Sequence, residues 1–206
     1  MERRLSSRSQ VLAFSVLAAA TGLGFAAPAH AVPIEYMETA TASGTLDRTP
    51  FTNAQVTITV TGDTAAAPSG GVLQVYSLPG ATVTVAGVGS DTFLHSDVFV
   101  NQGPVSPAAG FGDSTLGASI LDTFNNAFST YTLNNAIGPT SGPSFINPGV
   151  AFATAGGTFD LNASGVSTFS ATIAVPGPVV GAGLPGLILA CGVLLALARR
   201  RRQLVA

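Results

Sequence analysis

The arginines of this 206-residue chain are confined almost entirely to its two ends. Three lie within the first eight residues, ahead of an apolar run at 11–20, and four follow a second apolar run at 179–198. Only Arg48 lies between these ends. Basic residues beside an apolar run are typical of segments that are inserted into or sent across membranes. We therefore expect the folded domain to be built from the nearly cation-free stretch between them.

The N-terminal segment has the three parts of a secretory signal peptide. Its basic start and apolar run are followed by an A-x-A cleavage site formed by Ala29 and Ala31. We predict that residues 1–31 are removed by signal peptidase, so that the mature chain begins at Val32.

The C-terminal apolar run has the length of a membrane span. A helix over residues 179–198 rises about 1.5 Å per residue and reaches roughly 30 Å, the thickness of a bilayer's hydrocarbon core. The basic cluster that follows consists of Arg199, Arg200, Arg201 and Arg202. Such a cluster marks the cytoplasmic side of a span. We predict a transmembrane helix with a short basic tail, residues 199–206, in the cytoplasm, and an exported part outside it.

The exported part, residues 32–178, is strongly acidic. It carries nine carboxylates against Arg48 alone, a net charge of −8 at neutral pH. Nucleic-acid binding depends on basic residues that displace phosphate counterions, so this composition excludes a nucleic-acid partner. The only cysteine, Cys191, lies in the predicted span. The exported part therefore has no disulfide, and a buried core must stabilise it.

Short segments that alternate apolar and polar residues predict β-strands throughout the exported part. In the clearest one, residues 55–61, Val56, Ile58 and Val60 alternate with threonines, so the apolar face should be buried. Further strands are predicted at 35–43, 72–78, 81–86, 92–100, 149–154, 158–162 and 167–174. Glycine- and proline-containing turns separate them. The pattern predicts an all-β domain over residues 32–174, a β-sandwich or jelly roll.

One interval breaks this pattern. Ile120, Leu121 and Phe124 belong to an apolar series at helical spacing, which predicts one short amphipathic helix between about 117 and 128. The segments at 101–112 and 137–148 are rich in glycine, proline and other small residues and are predicted to be surface loops.

No pattern in the exported part identifies a catalytic site. His95 is the only histidine of the mature chain and lies between Asp91 and Asp97. Ser96 follows it directly, and no G-x-S-x-G elbow supplies the nucleophile of a Ser-His-Asp triad. The G-x-G-x-x-G match at 181–186 lacks the βαβ unit and downstream acid of a dinucleotide site. We predict no enzyme activity and no bound cofactor.

Calcium is the metal that the acidic composition leaves open. Asp91 and Asp97, Asp63, or the segment 110–114 could supply oxygen ligands, although no segment has the spacing of a calcium-binding loop. The threonine rows at 57–61 and 82–84 are interpreted as the solvent face of a sheet.

The tail resembles the PEP-CTERM sorting signal of Gram-negative bacterial surface proteins, in which a short proline-containing motif precedes a membrane helix and an arginine cluster. The motif residues here are Val175, Pro176, Gly177 and Pro178, with Gly177 at the position where the family has glutamate. The resemblance covers residues 175–206; the segments 42–47, 51–54 and 110–113 also look like PEP-CTERM domain proteins of no assigned activity. It implies processing by the membrane protease exosortase near the motif, delivery to the cell surface, and an association with exopolysaccharide and biofilm.

These observations predict an exported, membrane-tethered envelope protein that acts as a non-catalytic surface, matrix or adhesion component. The alternative is a secreted domain that binds or cleaves carbohydrate. A concave sheet face lined with aromatic residues and two facing carboxylates would favour that alternative.

Overall fold

The computed structural model describes residues 32–174, which form two antiparallel β-sheets. The predicted signal peptide, 1–31, and the predicted sorting motif, membrane span and basic tail, 175–206, lie outside the described residues. Within residues 32–174, no helix has the length and apolar character needed to cross a membrane.

The described part contains twelve strands. They are β1 (Pro33–Leu46), β2 (Thr49–Asp63), β3 (Leu73–Ser77), β4 (Thr82–Val85), β5 (Gly89–Thr92), β6 (Asp97–Asn101), β7 (Ala108–Asp113), β8 (Ala118–Phe124), β9 (Ile137–Gly142), β10 (Ser144–Phe145), β11 (Phe152–Ala153) and β12 (Thr158–Ile173).

The larger sheet has seven strands in the order β11-β12-β1-β2-β4-β5, with β9 also paired to β12. The smaller sheet has five, in the order β10-β8-β7-β6-β3. The first and last strands of the described part are neighbours, because Ile34 pairs with Ile173. The chain therefore enters and leaves this part at the same end of the larger sheet.

Alternation along the strands explains why the sheets pack face to face. Buried and exposed positions alternate along β1, and Ile34, Tyr36 and Leu46 are among its buried residues. The two-residue turn between β1 and β2 is formed by Asp47 and Arg48, both at positive φ, which suits the twist of a hairpin. Apolar residues from both sheets form one core, and the arrangement is consistent with a β-sandwich. The prediction of a β-rich domain with two packed antiparallel sheets is confirmed for residues 32–174.

The two edges of the larger sheet approach each other. Phe93, just after β5, forms an isolated antiparallel bridge with Thr154, just after β11. Leu94 N–H donates to the carbonyl of Ala153 at 3.0 Å. The sheet therefore curls strongly instead of lying flat.

The predicted amphipathic helix between about 117 and 128 is wrong. Residues 118–124 form strand β8, and the only helical segment in the described part is a four-residue 3₁₀ turn, Asn126–Ser129. The register between β7 and β8 shifts so that Ile120 is an extra, bulged residue, and both Ile120 and Leu121 are fully buried. Two consecutive buried residues at a bulge imitate helical spacing.

The two predicted surface loops are also wrong in part. Residues 108–113 form β7, a central strand in which every residue is buried, and residues 137–145 contain β9 and β10. Glycine was the misleading signal, because in β7 it permits close approach of a neighbouring strand.

Several strand boundaries also differ. The predicted strand 92–100 is divided between β5 and β6, those at 158–162 and 167–174 are one strand, β12, and 149–154 is reduced to β11.

Candidate functional site

The outer face of the five-stranded sheet carries a groove, which we call the β7 groove. Leu73, Val75 and Phe99 form its apolar side, and Gly112 lies on its floor. Asp97 and Asp113 also line it, and it encloses about 250 Å³. A few polar groups converging in a mostly apolar depression are typical of a ligand-binding site.

Gly112 is the β7 glycine that lines this groove, and Gly110 lies beside the groove on the same sheet face. The register places one row of outward-facing residues side by side: Val75, Phe99, Gly110, Asp122 and Phe145. A Cβ atom on Gly110 would lie only 2.3 Å from the carbonyl oxygen of Leu121. Glycine is therefore required at position 110, where β7 and β8 approach closely. Because glycine has no side chain, the outer surface of the sheet is depressed between Phe99 and Phe145.

The groove carboxylates are held by the turn that follows β7. Asp97 Oδ2 accepts the Ser114 N–H at 2.6 Å, and Asp113 Oδ1 accepts the Thr115 N–H at 2.8 Å. Asp97 is 4% exposed and Asp113 is 3% exposed. These contacts orient the carboxylates and leave little of either to reach a substrate.

A third carboxylate on the same face, Asp122, lies outside the groove in the same row as Val75 and Phe99, beyond Gly110. It is 5% exposed, and its Oδ1 atom has no hydrogen-bond partner among residues 32–174. Burial raises the pKa of Asp122 to about 7, although a hydrogen bond from Ser119 opposes the shift. Asp122 is therefore partly protonated at neutral pH.

A buried polar network links the two sheets beneath this face. Glu38, Thr123 and Ser167 are all fully buried, although Glu38 lies on the otherwise apolar inner face of β1. Thr123 Oγ1 lies 2.8 Å from Glu38 Oε1 and 2.7 Å from Ser167 Oγ, and Ser167 Oγ lies 3.1 Å from the carbonyl oxygen of Asp122.

Burial governs the charge of Glu38. Thr123 Oγ1 donates to Glu38 Oε1, and Glu38 Oε2 has no hydrogen-bond partner among residues 32–174. Burial raises the pKa of Glu38 well above its usual value and Asp122 raises it further, against the opposing hydrogen bond from Thr123. Burial therefore favours the neutral carboxylic acid over the carboxylate.

His95 and Ser96, the residues considered for a Ser-His-Asp triad, are not assembled into a site. His95 is exposed, whereas Ser96 is buried and its hydroxyl donates to the Leu78 carbonyl at 2.5 Å. Ser96 therefore has a structural role at the end of β3. Asp63 caps its own turn by accepting the Ala65 N–H at 2.8 Å.

Of the possible calcium ligands, only Asp97 and Asp113 of the segment 110–114 lie together, in the β7 groove, and Asp91 and Asp63 lie elsewhere. Asp97 belongs to the β7 groove, whereas Asp91 lies at the closure of the larger sheet, where its Oδ2 accepts the Gly156 N–H at 2.8 Å. Asp47 joins Asp91 there, since a Cβ atom on Gly156 would lie within 3.0 Å of a carboxylate oxygen from each. Across residues 32–174, no three His, Cys, Asp or Glu side chains are grouped as metal ligands.

Hydrogen bonds lower the pKa of Asp91, which lies where the two edges of the larger sheet meet. Burial alone would raise the pKa of Asp91, but hydrogen bonds from Thr154 and from the N–H groups of Gly156 and Thr92 outweigh burial and lower it. The threonines at 57–61 and 82–84 are partly or fully exposed on the outer face of the same sheet, as expected for its solvent side.

Sequence reasoning missed Glu38, Asp122 and the β7 groove. Residues 36–40 contain one signal, because Glu38 occupies an apolar position of an otherwise regular alternation. No sequence signal indicated the β7 groove, because its walls come from β3, β6 and the turn after β7. Only the order of the strands in the sheet brings these segments together. No protein-family model, curated protein or solved structure matches this chain. The protein is therefore described by its fold alone, as an all-β protein with two antiparallel sheets.

Proposed function

We propose that this protein is exported, tethered to the membrane by its C-terminal helix and displayed at the cell envelope as a non-catalytic surface, matrix or adhesion component. The observation that carries the proposal is the position of the two terminal segments. A predicted signal peptide occupies residues 1–31, and a predicted membrane span at 179–198 is followed by the cluster Arg199–Arg202.

The strand topology supports tethering from one end. Ala174 N–H donates to the Pro33 carbonyl at 2.9 Å, so both ends of the β-rich part leave it side by side. A span attached after residue 174 would hold this end towards the membrane. The hairpin turn at Asp47 and Arg48, at the opposite end of β1, would then point away from it.

We further propose that the tail acts as a PEP-CTERM-type sorting signal. Exosortase would cleave near Pro176 and Pro178, and the β-sandwich would then pass to the cell surface or the surrounding matrix. The resemblance of residues 175–206 and the agreement of the two membrane signals support this step.

A peptide tag inserted at Val105 tests display. Val105 is 92% exposed in the loop between β6 and β7, so a tag there leaves the core unchanged. Antibody should label this tag on intact cells. A second tag placed after Ala206 is the matched control and should be labelled only after the cells are permeabilised. Equal labelling of the Val105 tag before and after lysis is expected; labelling only after lysis would contradict surface display.

The β7 groove favours one second candidate, a carbohydrate-binding domain. Phe99 and Phe145 lie on the same sheet face as two carboxylates, Asp97 and Asp122. Aromatic faces pack against the apolar faces of sugar rings. Both carboxylates are almost completely buried, so the aromatic side chains would carry the contact with a sugar, and cleavage by a pair of carboxylates is disfavoured.

Affinity electrophoresis through gels that contain the organism's own exopolysaccharide tests this candidate. Phe99→Ala should abolish any retardation of the wild-type protein, whereas Val166→Ala, at a position 67% exposed on β12, should leave it unchanged. Equal mobility of the wild type with and without polysaccharide would count against carbohydrate binding.

A further inference from the structure

Strand β3 is the outer strand of the five-stranded sheet, and its ladder with β6 can be assigned bond by bond. The Gln102 N–H donates to the Val72 carbonyl at 2.7 Å, and the Leu78 N–H donates to the Ser96 carbonyl at 3.0 Å. Hydrogen-bonded pairs alternate along an antiparallel ladder, so these two bonds determine which residues between them face β6.

The alternation leaves a free backbone edge. Gln74 and Tyr76 bond to β6, whereas Leu73, Val75 and Ser77 direct their N–H and C=O groups away from the sheet. Among residues 32–174, no hydrogen-bond partner meets these three outward residues. Unpaired edge groups of this kind are a template for another strand.

The side chains of this edge do not protect it from pairing with another strand. Leu73 is 60% exposed and Val75 is 44% exposed. Natural edge strands are usually protected by charges, proline or a bulge, but residues 64–90 contain no charged residue, and β3 contains no proline and no register shift. In a domain of net charge −8, this neutral segment is where a second copy can approach with little repulsion.

We propose that the edge of β3 is a self-association surface, on which two copies pair their β3 strands antiparallel about a two-fold axis at Val75. In this register Val75 lies opposite the partner's Val75, and Leu73 lies opposite the partner's Ser77. Every outward N–H and C=O of the three residues gains a partner. The two five-stranded sheets become one continuous sheet of ten strands.

The pairing extends the surface that contains the β7 groove. Leu73 and Val75 form one side of that groove, so the two-fold axis brings the two grooves onto one face with the apolar side chains of both copies between them. The interface is isologous, as expected for a closed dimer.

The geometry also suggests how displayed copies meet. A two-fold axis perpendicular to the sheet reverses directions within the plane of the sheet, so the chain ends of the two copies point in opposite directions. Such pairing suits copies that are tethered to facing surfaces or released from their anchors. This last step rests on the proposed tethering, whereas the pairing itself does not.

Cysteine cross-linking of the full-length chain in mild detergent tests the pairing. In a Cys191→Ser background, Val75→Cys places two thiols directly opposite each other across the axis, within reach of a short bismaleimide. Val166→Cys, 67% exposed and on the other sheet, is the matched control. We expect a product of twice the monomer mass with the first variant and none with the second. Equal cross-linking of the two would overturn the proposal.

A charge at the edge provides the complementary test. Val75→Lys should convert the dimer into a monomer in analytical ultracentrifugation, because two buried like charges would meet at the axis, whereas Val166→Lys should remain dimeric. A monomeric wild type, a Val75→Lys variant that stays dimeric, or a cross-link from position 75 to a different protein would each contradict self-pairing. These measurements use purified protein, so they stand whether or not the tag experiment supports surface display.

Discussion

At the residue scale, the most unusual feature is a carboxylic acid at the centre of the core. Glu38 is fully buried, has no cation beside it among the described residues, and accepts a hydrogen bond from Thr123, which also contacts Ser167. A buried acid is stable there only in its neutral form, since ionisation without a counter-charge is costly. The protonation state of one side chain therefore couples the stability of this domain to pH.

Glu38→Gln should remove part of this pH dependence. The folded-state pKa of Glu38 is raised, so its stabilising contribution is complete below about pH 4.5 and is lost as the pH rises towards the folded-state value, by at most about 1.4 kcal/mol per pH unit. Gln stays neutral, so the variant should lose less stability than the wild type as the pH rises above about 4.5. Urea unfolding followed by near-UV circular dichroism of the three tyrosines, all in the domain, measures this. Glu35→Gln, exposed on the same strand, should keep the wild-type slope.

Asp122→Asn should remove a second part of the pH dependence. The pKa of Asp122 is raised from 3.8 to about 7, so its stabilising contribution is complete below pH 3.8 and is lost by about pH 7. The variant should therefore show a flatter dependence of unfolding free energy on pH in this window than the wild type. Identical curves would mean that the carboxyl is solvated in solution.

At the element scale, the close approach of β7 and β8 decides the shape of the smaller sheet. The bulge at Ile120 changes the register, and glycine at 110 leaves room for the backbone of β8. The close approach depends on glycine at 110, because a side chain there would meet the backbone of β8.

Gly110→Ala tests this dependence. The added Cβ atom would meet the Leu121 carbonyl oxygen at 2.3 Å, so we expect a loss of about 1–3 kcal/mol in unfolding free energy, as for other overpacked sites. Gly138→Ala on β9, where an added Cβ meets nothing within 4 Å, is the control and should change stability little. Equal effects of the two substitutions would show that strand approach at Gly110 is not tight.

The same elements show what sequence patterns can and cannot predict. Alternation at 55–61 predicts β2 correctly because one face is buried and the other is solvated. Alternation fails in β7, whose small residues are buried on both faces, and in β8, where a bulge puts two consecutive residues into the core. The β7 groove could not be predicted at all, since it depends on β3 lying beside β6 across a long chain separation.

At the scale of the whole molecule, the two termini determine where the protein is expected to be delivered. The sequence predicts a membrane signal at each end, and the first and last strands of the described part, β1 and β12, lie side by side. Arginines at the ends and an acidic domain between them are consistent with a chain whose basic residues serve membrane insertion and whose domain works outside the cytoplasm.

Mass spectrometry of the protein recovered from its native cells tests this account most directly, because it reads both ends of the mature chain. We predict an N-terminus at Val32 and a C-terminus close to Pro176–Pro178, with Arg199–Arg202 absent. A chain that begins at Val32 and continues to Ala206 would contradict processing of the tail while leaving export intact. A chain that retains residues 1–31 and all residues to Ala206 would contradict the central claim.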